Sequence, residues 1–422
     1  MNITECESAQ VTNKQKYLGN KGLIAFIALM NAFIPLSTDL YLPALPTMSS
    51  YFVSNSAITN LTLSSFFFFY AVGILLWGPL SDKYGRKPIL IMGAIIYIIS
   101  SISCAISTDV YFLILARAMQ GIGAGGITSV SVAIIKDCFS GKKRETMLAI
   151  TQSISGLAPM IAPIIGAWIL KFSSWRGAFW ALTVISIINL LLTILYKETL
   201  KEDERYTGTL IGSMGRLVTV AKNKSFFIPT VIFSLNALPF MGYIAISSYI
   251  YVDYFRLSEQ VYSYFFAANA LISILGPVIY VRYLSNINKK AFPIGCFALA
   301  LLSGILVMSV GKLSPIIFLL SFMIMSLTCT AIRPFSTNLL FEQQKGDTGS
   351  ASSLINTLFT VLGSIGMSIA SMPWGNMIVG LGIIITIFSC LPLIGWYLFI
   401  KSSIPCIGVK DLDYTLSKDV ND

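Results

Sequence analysis

The chain has 422 residues, of which 55% are hydrophobic and only 11% charged, with 29 Lys and Arg against 19 Asp and Glu and no histidine. Soluble domains carry about 25% charged residues, so a soluble globular enzyme is excluded. The missing histidine removes His-based triads, the zinc-protease helix motif and imidazole relays. About 230 apolar residues, divided among spans of roughly 20, correspond to about a dozen membrane crossings.

Apolar runs bounded by charge clusters and turn residues predict twelve helices. In chain order they cover Gly22–Leu45, Ala57–Leu80, Pro88–Ile106, Val110–Ile135, Thr146–Leu170, Ala178–Tyr196, Phe226–Val252, Val261–Leu284, Ala291–Val310, Ser314–Phe341, Ser350–Ser371 and Met377–Ile400. The polar interruption 197–225 after the sixth helix reads as a cytoplasmic linker. It divides the chain into a tail at 1–21, a six-helix bundle at 22–196, a second at 226–400 and a tail at 401–422. A faint repeat agrees: Gly78-Pro79 ends helix 2, Gly276-Pro277 falls in helix 8, and a basic loop follows each. With the N-terminus inside, 23 of the 29 basic residues fall on cytoplasmic segments and only Lys171, Arg176, Arg256 and Lys312 outside. That asymmetry supports the span count and puts both termini in the cytoplasm of a cell-membrane protein. It also accounts for the net charge of +10 without nucleic-acid binding.

Trp168, Trp175, Trp180 and Trp374 are expected as anchors at the outer interface, with Trp77 and Trp396 at the inner one. The seven cysteines (Cys6, Cys104, Cys138, Cys296, Cys329, Cys390, Cys406) are scattered, without a C-x-x-C pair, and read as unpaired thiols.

Only Asp39, Arg117 and Arg333 remain deep in the hydrocarbon. Each costs at least about 2.5–3.5 kcal/mol at a helix centre, so such residues face cavities, pair, or mark a transport route. Asp39 and Arg117 fall at similar depth, roughly 10 Å below the outer surface. Asp39 is the one acid in the interior and therefore the candidate proton carrier; the alternative is an ionised Asp39 permanently paired with a base. Arg117 suits organising polar groups around a cavity. Arg333, in the second half and nearer the cytoplasm, stands between a cavity role and helix packing. Asn31, Tyr41, Gln120, Asn236 and Tyr243 are the further candidates for a substrate cavity, and Phe66 to Tyr70 and Phe240 for aromatic contacts or a lipid face.

Helix 4 holds a formal G-x-G-x-x-G at Gly121, Gly123 and Gly126. With no strand before it, close helix packing explains it better than dinucleotide binding. Helix 5 carries Gly156, Pro159, Pro163 and Gly166, which bend it and leave a small-residue face. No phosphate-binding loop for an ATP-driven pump, no selectivity filter and no nucleophile with its base is present. Neither a cofactor nor a metal is implied.

The loop Gly78-Pro-Leu80-Ser-Asp82-Lys83-Tyr-Gly85-Arg86-Lys87 resembles the cytoplasmic motif G-x-L-x-D-[RK]-x-G-R-[RK] of the major facilitator superfamily. Arg117 to Gly126 resembles that family's R-x-x-Q-G-x-G-x-[GA] string. The helix 5 string, with Ala162-Pro163 and Gly166-Ala167, resembles the antiporter motif of drug exporters. Ser37-Thr-Asp39-Leu-Tyr41-Leu-Pro43-Ala-Leu-Pro46 resembles the Bcr/CflA drug-resistance branch, as does Trp175-Arg176-Gly-Ala-Phe179. The resemblance implies an all-α fold of two pseudo-symmetric six-helix bundles, alternating access, and export of small amphipathic or neutral drugs in exchange for protons, by a monomer. It makes Asp39 the coupling acid, Arg117 the arginine that senses its charge, and Gly78, Asp82, Gly85, Arg86 and Lys87 a cytoplasmic gate. Some relatives carry a second acid two turns before Asp39, where this chain has Asn31. Export of an endogenous metabolite such as a sugar or amino acid is the same-fold alternative.

Overall fold

The computed structural model describes residues 15, 17–139, 141–207, 210–344 and 348–410. Cys6, Lys14, Lys16, Lys345, Lys418 and most of both predicted tails lie outside the described residues, as do the side chains of Lys21, Lys142, Lys143 and Arg144.

Twelve helical crossings are present. Helix 1 runs Gly19–Asp39 and continues through a turn at Leu42–Ala44 and a short helix at Leu45–Tyr51. Helices 2 to 6 are Ser56–Tyr84, Arg86–Ile106, Val110–Cys138, Gly141–Phe172 and Arg176–Leu195. Helix 7 is Lys224–Ser234 followed by Ala237–Ser248 and a wide turn at Tyr249–Tyr254, and helix 8 is Glu259–Ile279 with a wide turn to Leu284. Helices 9 to 12 are Ala291–Ser309, Pro315–Gln343, Thr348–Ala370 and Met377–Lys401. Eleven are long and apolar enough to cross a membrane as they stand; in helix 5 the continuously apolar part is Gly156–Phe172. Between the halves lies a further helix, Leu210–Lys222.

The largest departure from the expected spans is in helix 1, predicted to run unbroken to Leu45. Its regular part stops at Asp39 because Pro43 has no N–H for the Asp39 carbonyl and its ring would press on that oxygen. Helix 7 breaks for the same reason at Leu235–Asn236, four residues before Pro239. The first helix of each half is thus interrupted by proline, which strengthens the internal repeat.

One end of the bundle carries the basic loop after helix 2 and is called here the basic end. Helices 2, 4, 8, 10 and 12 all start at the opposite end, and Asn55, Asp109, Ser258, Ser314 and Asn376 cap them by accepting backbone N–H bonds. Short loops there need only one polar residue to satisfy orphan donors.

Within the first half, helix 4 packs against both helix 2 and helix 3. A Cβ on Gly121 would strike the Phe66 carbonyl, and one on Gly123 would lie 2.8 Å from the Gly93 carbonyl, so alternate glycines seat two different neighbours. Gly276 of the repeat seats helix 8 on helix 10, where a Cβ would lie 2.8 Å from the Leu327 carbonyl.

The halves meet through helix 2 on helix 11 and helix 5 on helix 8. The side-chain hydrogen bonds described between them all lie at the end opposite the basic loops: Tyr249 with Ser49 (2.8 Å), Asn60 with Ser371 (2.9 Å), and Ser263 and Gln260 with the carbonyls of Pro163 and Ala167. The apolar core follows the same pattern. A continuous cluster joins the first half to the far part of the second, including Tyr243, Tyr262 and Phe322. The second half's residues near the basic end, among them Ile232, Phe297, Phe335 and Trp396, form a separate core. Among the described residues, the side-chain hydrogen bonds and the continuous apolar core that join the halves lie at the end opposite the basic loops.

The tryptophans correct one expectation. Trp168 and Trp180 are exposed, as anchors should be, but Trp77, Trp175 and Trp396 are buried. The indoles of Trp77 and Trp396 donate to the carbonyls of Ile122 and Lys290, a use of a polar handle inside the fold rather than at a lipid interface. Among the described residues no disulfide joins the cysteines.

Candidate functional site

Asp39 sits at the proline-made end of the regular part of helix 1, 4% exposed. Its carboxyl accepts one hydrogen bond, from the neighbouring Thr38 hydroxyl at 3.0 Å. Among the described residues no cation pairs with it, so the permanent ion pair considered above is absent. The carboxyl lies within electrostatic range of Tyr262 on helix 8, across the boundary between the halves.

Arg117 is fully buried and does not touch Asp39; it holds the backbone on which Asp39 is mounted. Its Nη1 donates to the Ser37 carbonyl (3.1 Å) and to Gln120 Oε1, and its Nε donates to the Thr62 carbonyl (3.1 Å). The guanidinium lies over the rings of Phe66 (4.3 Å) and Tyr41 (4.7 Å). Ser37 and Tyr41 flank Asp39 by two residues on either side, so one arginine grips the helix break from both directions. Gln120 passes the network on to Ser101 of helix 3 (2.7 Å), Tyr97 of the same helix meets Ser37 (2.5 Å), and Tyr41 reaches Thr62 (3.2 Å). Buried polar groups linked this way define a specific arrangement because each loses its water.

Helix 5 closes the site from another side. A Cβ on Gly166 would collide with the Leu40 carbonyl, so only glycine lets helix 5 lie against the helix 1 break. Gly156 faces Ile274 of helix 8, and the Pro163 carbonyl accepts from Ser263 of helix 8 at 3.0 Å. Gly156 and Pro163 thus meet the second half, while Gly166 packs on helix 1 within the first; Pro159 lies on helix 5 between Gly156 and Pro163.

The other sequence candidates divide. Asn31 joins helix 1 to helix 4 through Ser131 (2.5 Å). Tyr243 is buried in an aromatic stack, its ring 3.9 Å from that of Phe322, so it is a packing residue in this conformation. In the helix 2 run, Phe66, Phe67 and Tyr70 are buried while Phe68 and Phe69 are exposed. Asn236 and Arg333 are on the second half, in a cleft between helices 7, 10 and 11. The structure does not bring them to Asp39.

At the basic end, Arg86 bonds Asp82 (2.5 Å) and, through two nitrogens, Asp137 at the foot of helix 4 (2.9 and 3.3 Å). Lys87 caps helix 6, its Nζ donating to the Ile194 and Tyr196 carbonyls, while its backbone N–H donates to Glu198 (2.9 Å). The string therefore ties helices 2, 3, 4 and 6 of one half together. Asp137 and Glu198 escaped the sequence reading; the only available signal was their position on loops facing the same side.

Gly85 has φ 98° and ψ 164°, and a Cβ there would lie 2.7 Å from Glu198 Oε2. Gly85→Ala is expected to cost about 1–3 kcal/mol from backbone conformation alone. A lowered unfolding temperature of the purified protein, with Gly78→Ala unchanged because nothing lies within 4 Å of its Cβ, would show it.

The Major Facilitator Superfamily profile matches residues 25–367. The chain belongs to the major facilitator superfamily. Among its relatives in this superfamily, an uncharacterized MFS-type transporter, YdgK of Bacillus subtilis, is 28% identical over 350 residues, covering 81% of this chain and 87% of that one. A bicyclomycin resistance protein homolog of Haemophilus influenzae is 24% identical over 67% of this chain and 71% of its own. The multidrug resistance protein MdtL of a Shewanella species is 27% identical over 61% and 64%. Of solved structures, a D-xylose-proton symporter superposes with a TM-score of 0.71 over 92% of this chain and 99% of its own, at 15% identity, and so shares the fold. The expected all-α fold of two six-helix bundles and the likeness to the Bcr/CflA branch both stand; the chain is a membrane transporter of this superfamily.

Proposed function

We propose that this superfamily member is a proton-coupled exporter of small amphipathic, drug-like compounds, working as a monomer by alternating access between the bundles 22–196 and 226–400. The linker 197–225 and both tails lie in the cytoplasm, as the distribution of basic residues favours, so the basic end faces inward.

The observation that carries this reading is the Asp39 carboxyl: buried, without a paired cation, and seated at a helix break against the seam between the halves. A carboxyl in such surroundings is stable as the neutral acid and ionises when water reaches it. Rocking of the halves would alternately wet and dry it, loading a proton from outside and releasing it within. Arg117 transmits the change, because it holds Ser37 and Tyr41 on either side of the acid. Asp82, Arg86 and Asp137 stiffen the inner edge of the first half so that it moves as one body. The relatives named for bicyclomycin and multidrug resistance support drug-like substrates.

The test is a compound-panel sensitivity assay in an efflux-deficient host, with and without a proton uncoupler. Expression is expected to raise resistance to several compounds, and the uncoupler to remove that resistance. Resistance to none would overturn the drug reading in favour of metabolite export, and resistance untouched by the uncoupler would overturn proton coupling.

A further inference from the structure

Arg333 is the second deep arginine, and it is arranged unlike Arg117. Arg117 is enclosed, its Nε and Nη1 donating to carbonyls and an amide while its Nη2 is buried without a hydrogen-bond partner among the described residues. Arg333 is exposed within a cleft between helices 7, 10 and 11. Its guanidinium lies 4.0 Å from the centre of the Phe359 ring, and among the described residues no carboxylate or carbonyl receives its N–H groups. Stacking uses the face of the guanidinium and leaves the in-plane donors free. Asn236, Thr230, Ser336 and Thr337 add polar groups around it. A cation at this depth costs at least about 2.5–3.5 kcal/mol unless something compensates it, and among the described residues no acid does.

We infer that Arg333 and Phe359 form the anion-binding subsite of the transported compound, which is an amphipathic carboxylate or similar anion with an aromatic body. This rests on the exporter reading above and narrows its substrate class. The cleft beside the guanidinium has room for little more than a water-sized group, about 20 Å³, which fits the oxygens of an anionic head; the apolar body then lies against Phe359, which lines the same cleft. A planar carboxylate pairs with the guanidinium fork through two parallel hydrogen bonds. Arg333 lies nearer the Gln343 end of helix 10 than the Pro315 end, on the side from which an exporter loads. Its place in the second half keeps the anion apart from the proton site on Asp39, so the two need not compete for one group. An inside-negative potential also favours export of an anion, by about 2.3 kcal/mol per charge per 100 mV.

The test uses the purified full-length protein in detergent, with thermal unfolding as the readout and 2-naphthoate and benzoate compared with their neutral carboxamides. Both carboxylates are expected to raise the unfolding temperature, 2-naphthoate the more, with the effect shrinking in added salt, while the carboxamides do little. Arg333→Gln is expected to weaken naphthoate by about tenfold or more, the scale of one charge-assisted bond, and Arg333→Lys to retain part of the binding. No stabilisation by either carboxylate, equal stabilisation by the amides, or undiminished binding to Arg333→Gln would each overturn the inference. Should Arg333→Gln fail to fold, the wild-type comparison of acid with amide still decides. Efflux of neutral compounds unaffected by Arg333→Gln would overturn this subsite and leave the exporter reading in place.

Discussion

Asp39→Asn is expected to reduce substrate-driven proton release in inside-out vesicles to the level of vesicles lacking the protein. The substitution keeps size and shape, and the Thr38 hydroxyl that bonds Oδ1 at 3.0 Å can donate equally to an amide oxygen, so insertion and folding should be preserved. What disappears is the one group on the helix 1 break that can exchange a proton. The direction follows from antiport: acidifying the outer compartment relative to the inner speeds export by the wild type, because the outward-exposed carboxyl is reloaded more often. In Asp39→Asn that dependence on the pH difference should be flat. Full proton release from Asp39→Asn would assign coupling elsewhere.

Arg117→Lys carries the second large effect. The charge is retained, but an ammonium cannot reach the Thr62 and Ser37 carbonyls and the Gln120 amide from one planar group. It also cannot lie as a plate between the rings of Phe66 and Tyr41. Each hydrogen bond to a charged donor contributes about 1.5–3 kcal/mol, so the variant is expected to unfold at lower temperature and to lose most transport. Wild-type transport by Arg117→Lys would mean that positive charge alone suffices, and that the grip on the helix break is not part of the mechanism.

The sequence reached most of the site by cost. A carboxylate and two arginines in segments otherwise free of charge are conspicuous, because hydrocarbon tolerates so few. Burial can be read that way, but the direction in which a side chain points cannot. Asp39 and Arg117 share a depth, which suggests a facing pair; the fold instead sends the arginine to the backbone on either side of the acid. Asn31, a candidate for the cavity, is spent on joining helix 1 to helix 4, and Tyr243 on stacking with Phe322. Arg333 and Asn236, expected to share a substrate cavity with Asp39, occupy a cleft of their own in the second half. Asp137, the ion-pair partner of Arg86, and Glu198, which accepts from the Lys87 backbone N–H, were hidden for the opposite reason: acids near polar loops are ordinary, and only packing of helices 4 and 6 beside helix 3 brings them to Arg86 and Lys87.

By itself the sequence determined the class, the number and approximate placement of the helices and the family motifs. Each of these depends on local composition: apolar length sets a span, proline and polar residues set its ends, and loop charge tracks the side of the membrane. Tertiary structure alone decided where helix 1 meets helix 5, that Arg117 grips carbonyls rather than Asp39, that Arg333 stands without an acid among the described residues, and that the described hydrogen bonds between the halves gather at one end. Those outcomes depend on contacts between residues distant in the chain, where a single missing Cβ at Gly166 or one proline at position 43 fixes an approach that no local pattern encodes.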